Sequence, residues 1–124
     1  MAHSPSFLKL VDDAKSRIKQ TTPEEVKGRL DRGEKLLLVD TREDNEWDKG
    51  RIAGSIHLSR GIIERDIEET IPRKDAEVIL YCGGGFRSAL AADMLQRMGY
   101  TKVFSMAGGW KAWKGQDTWE STRR

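Results

Sequence analysis

The single cysteine of the chain, Cys82, stands in the segment Tyr81-Cys82-Gly83-Gly84-Gly85-Phe86-Arg87-Ser88, between the apolar run Val78-Ile79-Leu80-Tyr81 and a helical pattern. Three glycines after a thiol let the backbone curl closely around the sulfur, because glycine carries no Cβ and enters φ > 0 at little cost. A strand that delivers a thiol into such a turn and then into a helix start aims backbone N–H groups, and the positive end of the helix dipole, at the sulfur. Surroundings of that kind favour thiolate over thiol, so the chemistry expected here is nucleophilic. The bland alternative is a buried cysteine that merely ends a core strand. Four residues separate Cys82 from Arg87, whose planar fork of donors suits either an anionic substrate or a clamp on a loop carbonyl or carboxylate.

A second polar cluster, Asp40-Thr41-Arg42, follows the apolar run Leu36-Leu37-Leu38-Val39. A carboxylate and a guanidinium at a strand end more often brace a fold than do chemistry, and Glu46 reads the same way. His57 falls on a short predicted strand and reads as a satisfied, partly buried histidine rather than a general base. With two histidines and one cysteine far apart in sequence, no metal-ligand spacing appears, and no metal or cofactor is expected.

The elements that must position these residues are written in the hydrophobic pattern. Phe7, Leu8, Leu10, Val11, Ala14 and Ile18 recur at near-helical spacing, predicting an amphipathic helix over 6–16 whose stripe covers the core, then an extended piece at 18–20. Thr22-Pro23-Glu24-Glu25 combines an N-cap, a proline at the first helical position and a capping-box glutamate, predicting a helix from Pro23 to about Arg32. The run at 36–39 predicts a strand buried on both faces. A short helix over 43–49, a brief strand at 56–58 and a helix presenting Ile62, Ile63, Ile67 and Ile71 follow. The cysteine strand spans 77–81. Beyond it the pattern predicts a helix over 88–98 with Leu90, Ala91, Met94, Leu95 and Met98 inward, and a last strand at 103–106. Gly108-Gly109 before Trp110 and Trp113 reads as a strand-to-helix turn with the tryptophans on the core, one of them able to reach the pocket mouth. The segment from Gly115 to Arg124 is polar apart from Trp119.

Strands alternating with helices at this spacing imply an α/β fold around a mainly parallel sheet. Ligands of such sheets gather at the carboxyl ends of the strands, where both Asp40 and Cys82 fall. Composition narrows the function classes. A chain of 124 residues makes one domain, and 22 basic against 20 acidic residues leave too little excess charge to argue for nucleic acid. One cysteine makes no internal disulfide, no run approaches the ~18 apolar residues of a membrane span, and the start lacks the pattern of a secretory signal. A cytoplasmic protein without a membrane partner is the expectation.

Three pieces stand in order along the chain: Asp40-Thr41-Arg42 with Glu46-Trp47 and Gly50-Arg51-Ile52-Ala53-Gly54-Ser55, then Cys82 to Ser88, then Gly108-Gly109-Trp110 with Trp113. Together they resemble the single-domain rhodaneses, the sulfurtransferase family, over roughly residues 18–114. The resemblance leaves an N-terminal helical extension over 1–17 and a polar tail over 115–124. It implies a rhodanese-like fold with a central five-stranded, mainly parallel sheet flanked by helices. It also implies a catalytic Cys82 that cycles through a persulfide, cradled by the N–H groups of Gly83, Gly84, Gly85, Phe86 and Arg87, with Asp40, Arg42 and Ser88 in support. The partners it implies are a sulfane-sulfur donor such as thiosulfate or a persulfide, and a thiophilic acceptor such as cyanide, a small thiol or a protein thiol. The phosphatase relatives of the family carry one more residue between Cys and Arg, and the smaller ring here suits sulfur better than a phosphate-sized oxyanion. Two alternatives are a non-catalytic binding module and a persulfide or redox sensor.

The chain also departs from the family pattern. Arg51 stands where His is common and Ser55 where Ala is frequent. The loop interior has no basic residue, whereas many relatives place one there to meet thiosulfate. An anionic donor would then depend on Arg87, the backbone, and neighbours such as Arg42 or Arg60, and weak activity with thiosulfate is expected.

Overall fold

The computed structural model describes residues 3–115, and the polar tail expected over 115–124 lies almost wholly outside them. Five strands form one all-parallel sheet: β1 (Lys19–Thr21), β2 (Leu37–Asp40), β3 (Ile56–His57), β4 (Glu77–Tyr81) and β5 (Lys102–Met106), in the order β1-β5-β4-β2-β3. Six helices accompany them: α1 (Pro5–Lys15), α2 (Pro23–Asp31), α3 (Asp44–Lys49), α4 (Ile63–Thr70), α5 (Phe86–Arg97) and α6 (Gly109–Lys114). No helix among the described residues is long and apolar enough to cross a membrane.

The continuous apolar runs of β2 and β4 follow from burial on both faces of the sheet. Val39, Val78 and Leu80 point to one side and pack with Ile63 and Ile67 of α4 and Ala91, Ala92 and Leu95 of α5. Leu38, Ile79 and Tyr81 point to the other and pack with Val26 of α2 and Trp113 of α6. The caps read from sequence operate at α2, where the Thr22 hydroxyl accepts the Glu25 N–H at 3.2 Å and Pro23 opens the helix.

Two expectations need correction. The inward face of α5 is Ser88, Ala89, Ala91, Ala92, Asp93 and Leu95, while Leu90, Met94 and Met98 are half-buried. The face turned because α5 is covered on two sides, by the sheet and by α1, and Asp93 is buried under the latter. Of the proposed α1 stripe only Val11 and Ala14 are fully buried; Leu8 and Leu10 are exposed. An ion pair completes the packing of α1: Arg17 Nε and Nη2 donate to the Asp93 carboxylate at 3.1 and 2.8 Å, and Gln96 donates to the Arg17 carbonyl.

Candidate active site

β4 ends at Tyr81, and the next four residues turn through a loop into α5. Cys82 is 1% exposed, yet it forms part of the lining of a cavity of about 400 Å³ together with His3, Phe7, Gly83, Gly84, Phe86, Arg87 and Lys111. The Gly85 N–H donates to Cys82 Sγ at 3.1 Å. Gly85 holds φ +96°, and a Cβ there would meet the Gly108 nitrogen at 3.1 Å, so the turn requires glycine.

What holds the loop open is α6. The Trp110 N–H donates to the Cys82 carbonyl at 2.7 Å and the Lys111 N–H to the Gly83 carbonyl at 3.0 Å. These carbonyls are thereby tied to the helix start behind the loop. The N–H groups of Gly83, Gly84, Phe86 and Arg87 have no acceptor among the described residues. Gly109 makes this approach possible: its φ is +53°, and a Cβ would collide with the Cys82 carbonyl oxygen. The Gly108-Gly109 pair is therefore part of the site, a role the sequence signalled only as a turn. Trp113 is fully buried and Trp110 half-buried against the core; the pocket residue of this segment is Lys111, between them.

Arg87 lines the pocket, but its guanidinium is engaged. Nη1 and Nη2 donate to the two oxygens of Glu46 at 2.7 and 3.1 Å, a bidentate pair that ties α5 to α3. Glu46 Oε1 also accepts the Glu43 N–H at 3.0 Å, which fixes the carboxylate at the start of its own helix. The hydrogen bonds from Arg87 hold the Glu46 carboxyl below its ordinary value against the opposing effect of burial. The same bonds raise Arg87, and the nearby Cys82 adds to that rise.

The structure does not bring the other sequence-selected residues to the pocket. Arg42 is 3% exposed and folds back on Asp40, donating from Nε and Nη2 to its carboxylate and from Nη2 to the Gly50 carbonyl at 2.6 Å. It is no candidate for meeting a donor anion. Arg60, the other neighbour considered for that task, donates to the Glu64 carboxylate instead. The Ser88 hydroxyl is buried and exchanges a hydrogen bond with Ser105 at 2.8 Å, bracing α5 on β5. His57 stacks on Trp47, and its Nε2–H donates to the Arg42 carbonyl at 2.8 Å.

The family model of the Rhodanese-like domain matches residues 22–116. The chain belongs to the rhodanese-like domain family. Among curated relatives of this rhodanese-like chain, YrkF of Bacillus subtilis, provisionally named a sulfur carrier protein, is 31% identical over 82% of the chain. YtwF of the same organism, provisionally named a sulfurtransferase, is 32% identical over 80% of the chain and 93% of its own length. The chain spans only about half of YrkF, 54%. Among solved structures, RPA3614 of Rhodopseudomonas palustris superposes with a TM-score of 0.77 at 29% identity, over 93% of this chain and 95% of its own. That protein is described as of unknown function, with tyrosine phosphatase as a candidate activity. Family membership and the sulfurtransferase-named relatives support a role in sulfur transfer.

Proposed function

We propose that this rhodanese-like domain is a sulfurtransferase of the thiosulfate sulfurtransferase type, carrying sulfane sulfur as a persulfide of Cys82. The donor is thiosulfate or a persulfide, and the acceptor is cyanide or a thiol. The observation that carries this reading is the Gly85 N–H on Cys82 Sγ at 3.1 Å, in the lining of a pocket whose loop N–H groups are otherwise unengaged.

The thiolate attacks the outer sulfur of thiosulfate. A bond forms between Sγ and that sulfur, the donor S–S bond breaks, and its electron pair leaves with sulfite. The terminal sulfur of the persulfide carries the negative charge, and the loop N–H groups are placed to stabilise it. Cyanide or an acceptor thiolate then takes that sulfur and returns Sγ to thiolate. The Glu46–Arg87 pair keeps the loop in its curled conformation through both steps. Four residues between Cys82 and Arg87 support sulfur over phosphate as the group accommodated. A lone thiol that must stay reduced supports the cytoplasm as its compartment.

Incubation with thiosulfate and cyanide, reading thiocyanate, tests the proposal, with Cys82→Ser as control. The expected result is turnover in the wild type and none in the variant; turnover that survives the substitution overturns the mechanism. Intact mass after donor treatment should gain one sulfur atom that reductant removes. Loading without turnover would mark a persulfide carrier or sensor, and neither would mark a binding module. Phosphate-ester hydrolysis faster than thiocyanate formation would favour the phosphatase alternative.

A further inference from the structure

The wall of the cysteine pocket is supplied in part from outside the span that the family model matches, residues 22–116. His3 and Phe7 line the cavity with Cys82, and Phe7 meets the ring of Phe86, the residue after the loop glycines, edge to face at 6.2 Å. His3 lies 4.7 Å from the same ring and 5.2 Å from Phe7. The local sequence fixes this placement. Ser4 caps α1, its hydroxyl accepting the Phe7 N–H at 3.2 Å, and Pro5 opens the helix. Phe7 therefore stands in the first turn, where a helical side chain leans toward the N-terminus.

The two halves of α1 do different things. Val11 and Ala14 are fully buried, and just beyond the helix Arg17 pairs with Asp93 while its carbonyl accepts from Gln96. The second half is thus held on α5 without help from the aromatic residues. His3, Leu8 and Leu10 are exposed and Phe7 is half-buried, so the first half adds little to the core. What its first turn touches is the pocket. Cys82 is so deeply recessed that a reacting molecule reaches the sulfur through the cavity, whose volume of about 400 Å³ is at the small end of sites that hold organic ligands.

We propose that the first turn of α1 is a size filter for Cys82, in which the Phe7 ring determines specificity, Ser4 positions it and His3 extends the same wall. Small anions and slender thiols pass, and bulky reagents are turned away by the rings. The filter follows from geometry; its use in sulfur transfer rests on the reading of Cys82 as a sulfur carrier. In that transfer the acceptor thiolate attacks the outer sulfur of the Cys82 persulfide, a new S–S bond forms to the acceptor, the old one breaks, and its electron pair returns to Sγ.

Two pairs of reagents test this. The first reads access to the thiol: iodoacetamide, from which Sγ displaces iodide, against N-(1-pyrenyl)maleimide, where Sγ adds to the double bond and the neighbouring carbon takes a proton from water. The second reads discharge of the sulfur-loaded protein by cyanide against 2-naphthalenethiol. Phe7→Ala should raise the bulky-to-small rate ratio of each pair by about tenfold, the rate equivalent of relieving one steric clash. Phe7→Tyr keeps the ring and should hold the wild-type ratio, and Ser4→Ala, which loosens the turn but leaves the ring, should fall between. Leu10→Ala, on the exposed face of the same helix, should match the wild type. A Phe7→Ala protein that loses stability in denaturant while both ratios stay put would make the ring a structural contact and overturn the filter. A shift in alkylation alone, with discharge unmoved, would overturn its part in sulfur transfer. If the alkylation ratio shifts but donor treatment adds no sulfur to Cys82, the filter stands and the sulfur-carrier reading falls; if sulfur loads and neither ratio shifts, the reverse holds.

Discussion

Two neighbouring strands of the same sheet end side by side, Asp40 opposite Tyr81 in register, and their next residues do opposite things. After β2, Arg42 folds back over Asp40 and reaches the Gly50 carbonyl, while the Asp40 and Thr41 carbonyls accept the N–H groups of Leu58 and Arg60. That end is filled by side chains whose polar groups are paired with one another and with the backbone. After β4, glycines leave the crevice open, and α6 takes the carbonyls of Cys82 and Gly83 while the N–H side of the loop stays available. A strand end becomes a reaction site when its side chains do not refill the space and when its carbonyls, rather than its amides, are satisfied from behind.

Substitutions at the two ends should therefore separate stability from chemistry. Arg42→Ala strands the Asp40 carboxylate in the core and should cost about 3–5 kcal/mol, the scale for breaking a buried pair. Denaturant unfolding reads that loss, and the fraction still folded should load sulfur on Cys82 normally. Loss of loading in folded Arg42→Ala would erase the distinction between the ends.

On the open side, Gly85→Ala forces an L residue to φ +96° with its Cβ against Gly108. A cost of about 1–3 kcal/mol is expected, with persulfide loading impaired beyond the loss of folded protein. Mass spectrometry at equal folded concentration checks it.

Glu46→Gln removes the charge that clamps Arg87 and should slow loading about tenfold, well short of the ~100-fold attached to a 1 Å misplacement of reacting groups. Its pH dependence has a definite sign. Because the folded carboxyl is held below its ordinary value, its stabilising contribution is fully present above the unfolded carboxylate value of about 4.3 and is lost as pH falls through the lower folded value. The Tm difference between wild type and Glu46→Gln should shrink on acidification through that window; a difference that grows there would contradict the clamp. The smallest effect belongs to Gly84→Ala. Its Cβ would stand 4.0 Å from the Phe86 ring at an ordinary φ, and the change in stability should stay within about 0.5 kcal/mol.

The sheet, its helices and the cysteine loop were legible in sequence because each rests on local rules. Leu36-Leu37-Leu38-Val39 and Val78-Ile79-Leu80-Tyr81 are short apolar runs, and Thr22-Pro23 is a cap with its proline. The inward face of α5 was misread because periodicity shows that a helix has an apolar stripe but not that a second helix covers its flank and buries Asp93. Arg42 and Arg60 were considered for an anion because their types suit one, and sequence carries no record that Asp40 and Glu64 already hold them.

The chain by itself determined where a nucleophile could sit and how the backbone near it could bend, since strand pattern, glycine freedom and helix start are properties of consecutive residues. Tertiary packing decided which cation faces the sulfur, what walls the pocket and what props the loop. Lys111, Phe7 and Gly109 come from elements distant in sequence, and their meeting with Cys82 is set by how α1 and α6 dock on the sheet and on α5.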